Sequence, residues 1–179
     1  MLTLILGGAR SGKSRLAQKL AATAAHVTYI ATLDAGGDPE MDARIARHRA
    51  DRPPAWDVIE EPLALAAAVE RAAASDAILV DCLTLWLSNL FWQCREAPPS
   101  RVEEAARAEL ARIAAAARER RVLLVSNEVG GGIVPEDPVA RAFRDAQGLV
   151  NQWAAEAADE VIFTIAGLPM YLKRPTESQ

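Results

Sequence analysis

The octapeptide Gly7-Gly8-Ala9-Arg10-Ser11-Gly12-Lys13-Ser14 follows directly on the apolar run Leu2-Thr3-Leu4-Ile5-Leu6. This is the pattern G-x-x-x-x-G-K-S between a strand and a helix, the construction that a phosphate-binding loop requires. Glycines let the backbone fold tightly and aim its N–H groups at phosphate oxygens, and the helix that follows adds the positive end of its dipole. Lys13 is expected to neutralise the β- and γ-phosphates, and the Ser14 hydroxyl to ligate Mg²⁺. A chain that opens in this way handles a nucleoside triphosphate.

Short apolar runs alternate with longer helical patterns throughout, as in a parallel sheet covered by helices. The spacing predicts strands near Leu2–Leu6, Val27–Ala31, Trp56–Ile59, Ala77–Asp81, Val122–Ser126 and Val161–Ile165. It predicts helices over Lys13–Ala24, Pro62–Ala74, Thr84–Gln93 and Val139–Ala157, and another from Asp38-Pro39-Glu40-Met41 to Asp51. A further helix is expected to start at Ser100-Arg101-Val102-Glu103, which reads as a capping box, with Pro98-Pro99 left in the preceding loop. Behind that cap, Val102, Ala106, Leu110, Ile113 and Ala117 recur at helical spacing and form one buried stripe. The expected fold is therefore α/β: a three-layer P-loop NTPase-type fold with a mostly parallel central sheet and helices on both faces. Residues 1–173 form a single domain on this reading, and the polar tail 174–179 is frayed.

With 179 residues the chain can bury a substantial core, and its formal net charge of −4 gives no general pull toward nucleic acid or acidic membrane. No apolar stretch reaches membrane-spanning length. The first strand begins at once, so no signal or transit sequence is expected and a cytoplasmic location is. Cys82 and Cys94 make neither a disulfide framework nor a metal cluster, and Cys82 reads as a buried small hydrophobe.

Beyond the loop, Ala77-Ile78-Leu79-Val80-Asp81 puts an acid at the carboxyl end of a buried strand, where a phosphate-loop protein holds Mg²⁺. On the helix after Asp38, the residues Met41, Arg44, Ile45 and His48 share one face. His48 has two readings: a group beside a phosphate, or a surface residue at a helix C-terminus. His26, at a helix–strand junction, reads as structural. Ser126-Asn127-Glu128-Val129-Gly130-Gly131-Gly132 follows a buried strand, so Asn127 and Glu128 either face a ligand or belong to a plain loop.

Taken together, these residues resemble one family along nearly the whole chain. The loop Gly7–Ser14 is followed by Tyr29-Ile30-Ala31-Thr32 and by Glu40-Met41-x-x-Arg44-Ile45-x-x-His48-Arg49 with Arg52-Pro53 and Trp56. Then come Asp81-Cys82-Leu83-Thr84-Leu85-Trp86 with Asn89-Leu90, Asn127-Glu128-Val129-Gly130, and Gly132-Ile133-Val134-Pro135. Arg141-x-Phe143-Arg144-Asp145, Gly148, Asn151-Gln152 and Gly167-Leu168-Pro169 complete the set. The pattern resembles the bifunctional adenosylcobinamide kinase/adenosylcobinamide-phosphate guanylyltransferases of cobalamin assembly.

The resemblance implies phosphorylation of adenosylcobinamide from ATP or GTP, then transfer of GMP from GTP onto that phosphate. It implies a GMP–histidine intermediate, with His48 in the nucleophile's place and Lys13 as the other catalytic group. Nucleotide contacts would come from Gly7, Gly8, Ala9, Arg10, Ser11, Gly12, Lys13, Ser14, Ala31, Thr32, Leu33, Arg49, Ala50, Asp51, Arg52, Glu60 and Asp81. Ser14 and Asp81 would hold Mg²⁺. Glu60 would read the guanine base, although Glu61 is adjacent, and Glu128 is a candidate for polarising the acceptor hydroxyl. Some members assemble as trimers, so a homo-oligomer is expected, for which Trp86, Phe91, Trp92 and Trp153 offer contact surface if they are not core. No nucleic-acid or membrane partner is expected. Two rivals remain open: a phosphate-loop kinase for another small molecule, and a GTP-binding switch. The switch lacks the Asn/Thr-Lys-x-Asp base motif here.

Overall fold

The computed structural model describes residues 1–33 and 53–175. The helix expected between Asp38 and Asp51, with Arg44 and His48 on it, lies outside the described residues, as do residues 176–179.

The chain runs β1 (Leu2–Gly7), α1 (Lys13–Ala21), β2 (Val27–Ala31), β3 (Asp57–Glu60), α2 (Leu65–Arg71), β4 (Ala77–Asp81), α3 (Leu83–Gln93) and α4 (Pro99–Ala116). It continues through β5 (Arg121–Asn127), α5 (Pro138–Ala157), β6 (Glu160–Ile165) and β7 (Leu168–Lys173). One seven-stranded sheet results, in the order β3-β2-β4-β5-β1-β6-β7, parallel except for the antiparallel pair β6–β7.

Side-chain alternation divides the sheet into two apolar faces. Leu4, Leu6, Ile30, Ile78, Val80, Val122 and Leu124 point to the face covered by α2 to α5. Ile5, Tyr29, Leu79, Leu123 and Val125 point to the other face, against Ala17 and Ala21 of α1. Because the strands are parallel, the carboxyl ends of β1, β2, β4, β5 and β6 all open on one edge of the sheet.

The six strands anticipated from the sequence are present, with ends that shift by a residue or so. β7 was not anticipated. All six of its residues are exposed, so it shows no buried alternation, and Pro169 disguises it as a loop. The capping box also fails. Pro98 is the N-cap of α4 and Pro99 occupies the first turn, so Ser100 lies inside the helix and makes no cap. Proline's fixed φ and missing N–H suit the first helical position, which starts the helix ahead of the serine. The stripe from Val102 to Ala117 is buried as expected. α2 begins at Leu65 rather than Pro62, because the Glu61 carboxylate accepts the N–H groups of Leu63 and Ala64 and turns the chain first. Among the aromatic residues, Trp86 is core, Phe91 and Trp153 pack against the core, and Trp92 is 74% exposed.

Leu124, wholly buried on the central strand β5, tests this packing. Leu124→Ala is expected to lower the unfolding free energy by about 2–5 kcal/mol. Urea denaturation with an unchanged m-value checks it.

Candidate active site

The loop after β1 curls back on itself, with Arg10 at φ 55° and Gly12 at φ 95°. The Lys13 ammonium donates to the Gly8 carbonyl at 3.0 Å, and the Ser11 N–H donates to the same oxygen at 3.3 Å. Two neighbours pin the loop from outside. The Glu128 N–H, just past β5, donates to the Gly7 carbonyl at 3.1 Å, and the Gly167 N–H, in the β6–β7 turn, donates to the Ser11 carbonyl at 2.9 Å. Gly7 has no room for a side chain: a Cβ there would stand 2.5 Å from both Ser11 Oγ and the Thr164 carbonyl.

Asp81 ends β4 on the same sheet edge. Ser14 Oγ donates to its Oδ1 at 3.4 Å, and the Tyr29 hydroxyl donates to its Oδ2 at 3.0 Å. The neighbouring peptide is held from the other side. Thr32 Oγ1 donates to the Cys82 carbonyl and accepts from the Cys82 N–H, each at 2.8 Å. Burial pushes the Cys82 thiol up to about 11, with the Asp81 charge adding to the effect, so it is a neutral packing group. A hydroxyl beside a carboxylate next to a phosphate cradle suits a hard divalent cation such as Mg²⁺, which prefers few protein oxygens supplemented by phosphate and water.

A cavity of about 890 Å³ lies elsewhere, lined by Met1, Leu2, Ala114, Asp159 and Arg174 among others. Leu2 opens β1 while Gly7 closes it, so this cavity sits at the opposite edge of the sheet and takes no part in the phosphate site.

Residues 3–172 match the family described as cobinamide kinase / cobinamide phosphate guanyltransferase. The chain belongs to this family. It is 51% identical over 175 residues to the bifunctional adenosylcobalamin biosynthesis protein CobP of Pseudomonas aeruginosa, covering 97% of this chain and 98% of that one. It is 42% identical to the protein of the same description, CobU, of Salmonella typhimurium, and 39% identical to CobU of Escherichia coli, covering 97% of this chain and 100% of each relative. A solved structure described as a prototypical ATPase from the type III secretion system of pathogenic bacteria shares the fold. Its TM-score is 0.55 at 15% identity, covering 95% of this chain and 56% of that one. Members of this family join a kinase and a guanylyltransferase in one chain. No helix among the described residues is long and apolar enough to cross a membrane.

Of the residues singled out from the sequence, Gly7 to Ser14, Ala31, Thr32, Leu33, Glu60 and Asp81 lie at the carboxyl edge of the sheet. Arg49, Ala50, Asp51 and Arg52 lie outside the described residues with His48. Glu60 pairs with Ala31 in the β2–β3 ladder and is exposed at the strand end. Glu61 is occupied: burial opposes its charge, but the Ala64 and Leu63 N–H groups and Arg71 hold its carboxyl below the ordinary range. The structure thus separates the two adjacent acids, one structural and one facing outward. Thr32 spends its hydroxyl on Cys82. Glu128 accepts from the Gly130 N–H through its Oε1, while Arg144 of α5 donates to the Gly130 carbonyl. His26 is exposed, its Nδ1 lying 3.3 Å from Asp76 Oδ2.

Sequence reasoning missed the Tyr29 contact with Asp81 and the grip of Gly167 on the loop. A tyrosine at an inward position of a buried strand needs a partner for its hydroxyl, which was a readable signal. The Gly167 contact joins residues far apart in the chain and leaves no local trace.

Gly7 and Gly8 offer a controlled comparison, since a Cβ at Gly8 would meet nothing within 4 Å. Gly7→Ala is expected to cost about 1–3 kcal/mol of stability, and Gly8→Ala under about 1 kcal/mol. Thermal denaturation of both variants without nucleotide checks the difference.

Proposed function

We propose that the chain phosphorylates the free hydroxyl of adenosylcobinamide with ATP or GTP, then transfers GMP from GTP to the new phosphate through a GMP–His48 intermediate. The observation that carries the nucleotide half is the pairing of Ser14 Oγ with Asp81 Oδ1, 3.4 Å apart beside Lys13 and the curled loop. Phosphoryl transfer needs positioning and charge stabilisation more than covalent chemistry from the protein. The N–H groups of Gly8 to Ser14 and the start of α1 cradle the phosphates. Lys13 exchanges the Gly8 carbonyl for phosphate oxygens. Ser14 and Asp81 hold Mg²⁺, which supplies charge neutralisation on the phosphates.

The guanylyl half is supported by the run Glu40-Met41-x-x-Arg44-Ile45-x-x-His48-Arg49 and by family membership. A neutral imidazole nitrogen attacks the α-phosphorus of GTP, and pyrophosphate leaves. The phosphoramidate then passes GMP to the cobinamide phosphate. Dividing the transfer lets one site meet GTP first and a bulky corrinoid second. Backbone groups of Ala31, Thr32 and Leu33, with Arg49, Ala50, Asp51 and Arg52, line the nucleotide, and Glu60 accepts the guanine N–H donors. The reading includes a cytoplasmic homotrimer. Trp92 and the apolar side chains of β7, all exposed, give a neighbouring copy surface to cover.

GTP labelled at the α-phosphate is expected to leave acid-labile, base-stable label on the wild-type protein and none on His48→Asn. Denaturing electrophoresis reads this, and an unlabelled wild type that still binds GTP overturns the guanylyltransferase step. Lys13→Ala is expected to lower the rate of cobinamide phosphorylation by at least about 100-fold.

A further inference from the structure

Where β5 runs past the end of its ladder with β4, three groups hold its backbone in succession. Thr84 Oγ1, in the first turn of α3, accepts the Asn127 N–H at 2.8 Å. The Asn151 carboxamide, on α5, donates to the Asn127 carbonyl at 3.0 Å. The Glu128 N–H then bonds the Gly7 carbonyl. Asn151 is itself fixed: its Oδ1 accepts from Ser126 Oγ at 2.6 Å and from Gln147 Nε2 at 3.0 Å, and Gln147 also donates to Ser126 Oγ at 3.0 Å. Gln147 and Asn151 are buried one turn apart on the face of α5 that otherwise carries Ala146, Val150 and Ala154. Helical periodicity alone would fill those positions with apolar residues. Three of these bonds end on the peptide groups of Asn127 and Glu128, and the side-chain bonds among Ser126, Gln147 and Asn151 fix the Asn151 carboxamide.

Strand alternation says where that grip aims. Ser126 points toward α5, as Val122 and Leu124 do. Asn127 therefore continues the opposite row, Leu123 and Val125, on the α1 face. Asp81 continues the row of Ala77 and Leu79 on that same face. In register, Asn127 pairs with Gly7 and Asp81 with Val125, so on this face β5 carries Asn127 between the strand that opens into the phosphate loop and the strand that ends in Asp81. None of the bonds just described uses its carboxamide.

We propose that Asn127 is a further catalytic residue of the kinase step, its side-chain N–H donating to the phosphoryl group in flight, and that Asn151 and Thr84 are the positioning residues that aim it. The inference rests on the kinase reading above. In that step the acceptor hydroxyl oxygen bonds the γ-phosphorus, and the bond from that phosphorus to the β,γ-bridging oxygen breaks. The nucleoside diphosphate leaves with the electron pair, and the hydroxyl proton passes to solvent. Charge gathers on the equatorial and leaving oxygens, and a neutral amide already in place stabilises it without reorganisation.

The test compares Asn127→Ala, Asn151→Ala, Thr84→Val and the double variant Asn127→Ala/Asn151→Ala. Each is assayed for kcat of cobinamide phosphorylation, affinity for ADP, and affinity for ADP with aluminium fluoride, a mimic of the transferring group. Asn127→Ala is expected to lower kcat by about 100-fold and weaken the aluminium fluoride complex, with ADP affinity within about threefold of wild type. Asn151→Ala and Thr84→Val are expected to lower kcat by about tenfold or more, and the double variant to fall no further than Asn127→Ala. Thr84→Val keeps the shape of the side chain and carries the test if Asn151→Ala fails to fold. A kcat for Asn127→Ala within about threefold of wild type overturns the inference, as does a loss of ADP affinity equal to the loss of rate. A wild type unable to phosphorylate cobinamide overturns the kinase reading instead.

Discussion

The backbone of the phosphate loop is wedged between the carboxyl ends of two neighbouring strands, and the rest of the architecture depends on that wedge. β1 lies between β5 and β6, and each neighbour sends one N–H group beyond its own ladder to bond a loop carbonyl, at Gly7 and at Ser11. Gly7 is pressed so closely on Ser11 and Thr164 that any side chain would force the loop away. Gly12 and Gly167, both at positive φ, meet where the β6–β7 turn abuts the loop. A cradle of N–H groups binds phosphate well only if it is shaped before the phosphate arrives, and these contacts do the shaping.

The same constraint explains where the protein buries its polar side chains. A buried polar group is costly unless it is hydrogen-bonded. Several of them sit at the carboxyl edge of the sheet: Lys13, Thr32, Thr84, Ser126, Gln147 and Asn151. Where a strand runs past a neighbour's ladder its backbone loses partners, and side chains from α3, α5 and the residue after β2 supply new ones. Thr32 does this for Cys82, and Thr84 and Asn151 do it for Asn127. The edge opposite is tied by simpler means, such as the Asp159 carboxylate on the Leu2 N–H.

Much of the fold was legible because six of the seven strands announced themselves by an apolar run and most helices by a 3.6-residue stripe. Val102 to Ala117 and the strand ending in Asp81 are clear cases, where local pattern and tertiary burial agree. The errors came where local signals competed. Ser100 and Glu103 offered a capping box, but Pro99 suited the first turn better and took it. β7 was hidden because an edge strand exposed on every residue has no periodicity to show. At the sheet edge, the motif gave the position of the loop and the strand end that of Asp81, while nothing local separated the chosen Glu60 from the adjacent Glu61. Only the turn into α2 shows that Glu61 is committed to the Leu63 and Ala64 N–H groups.

By itself the sequence determined that a parallel sheet would carry a phosphate loop at its carboxyl edge, since the glycine spacing, the lysine and the flanking periodicities are local properties. It also determined family membership, since the motifs run in order along the chain. The tertiary structure decided which polar residues reach that edge. Tyr29, Thr84, Gly167 and Asn151 are distant in sequence from the groups they hold, and only strand order and register bring them together. Hydrogen bonds act over about 3 Å, so a residue's partner is chosen by packing rather than by its neighbours along the chain.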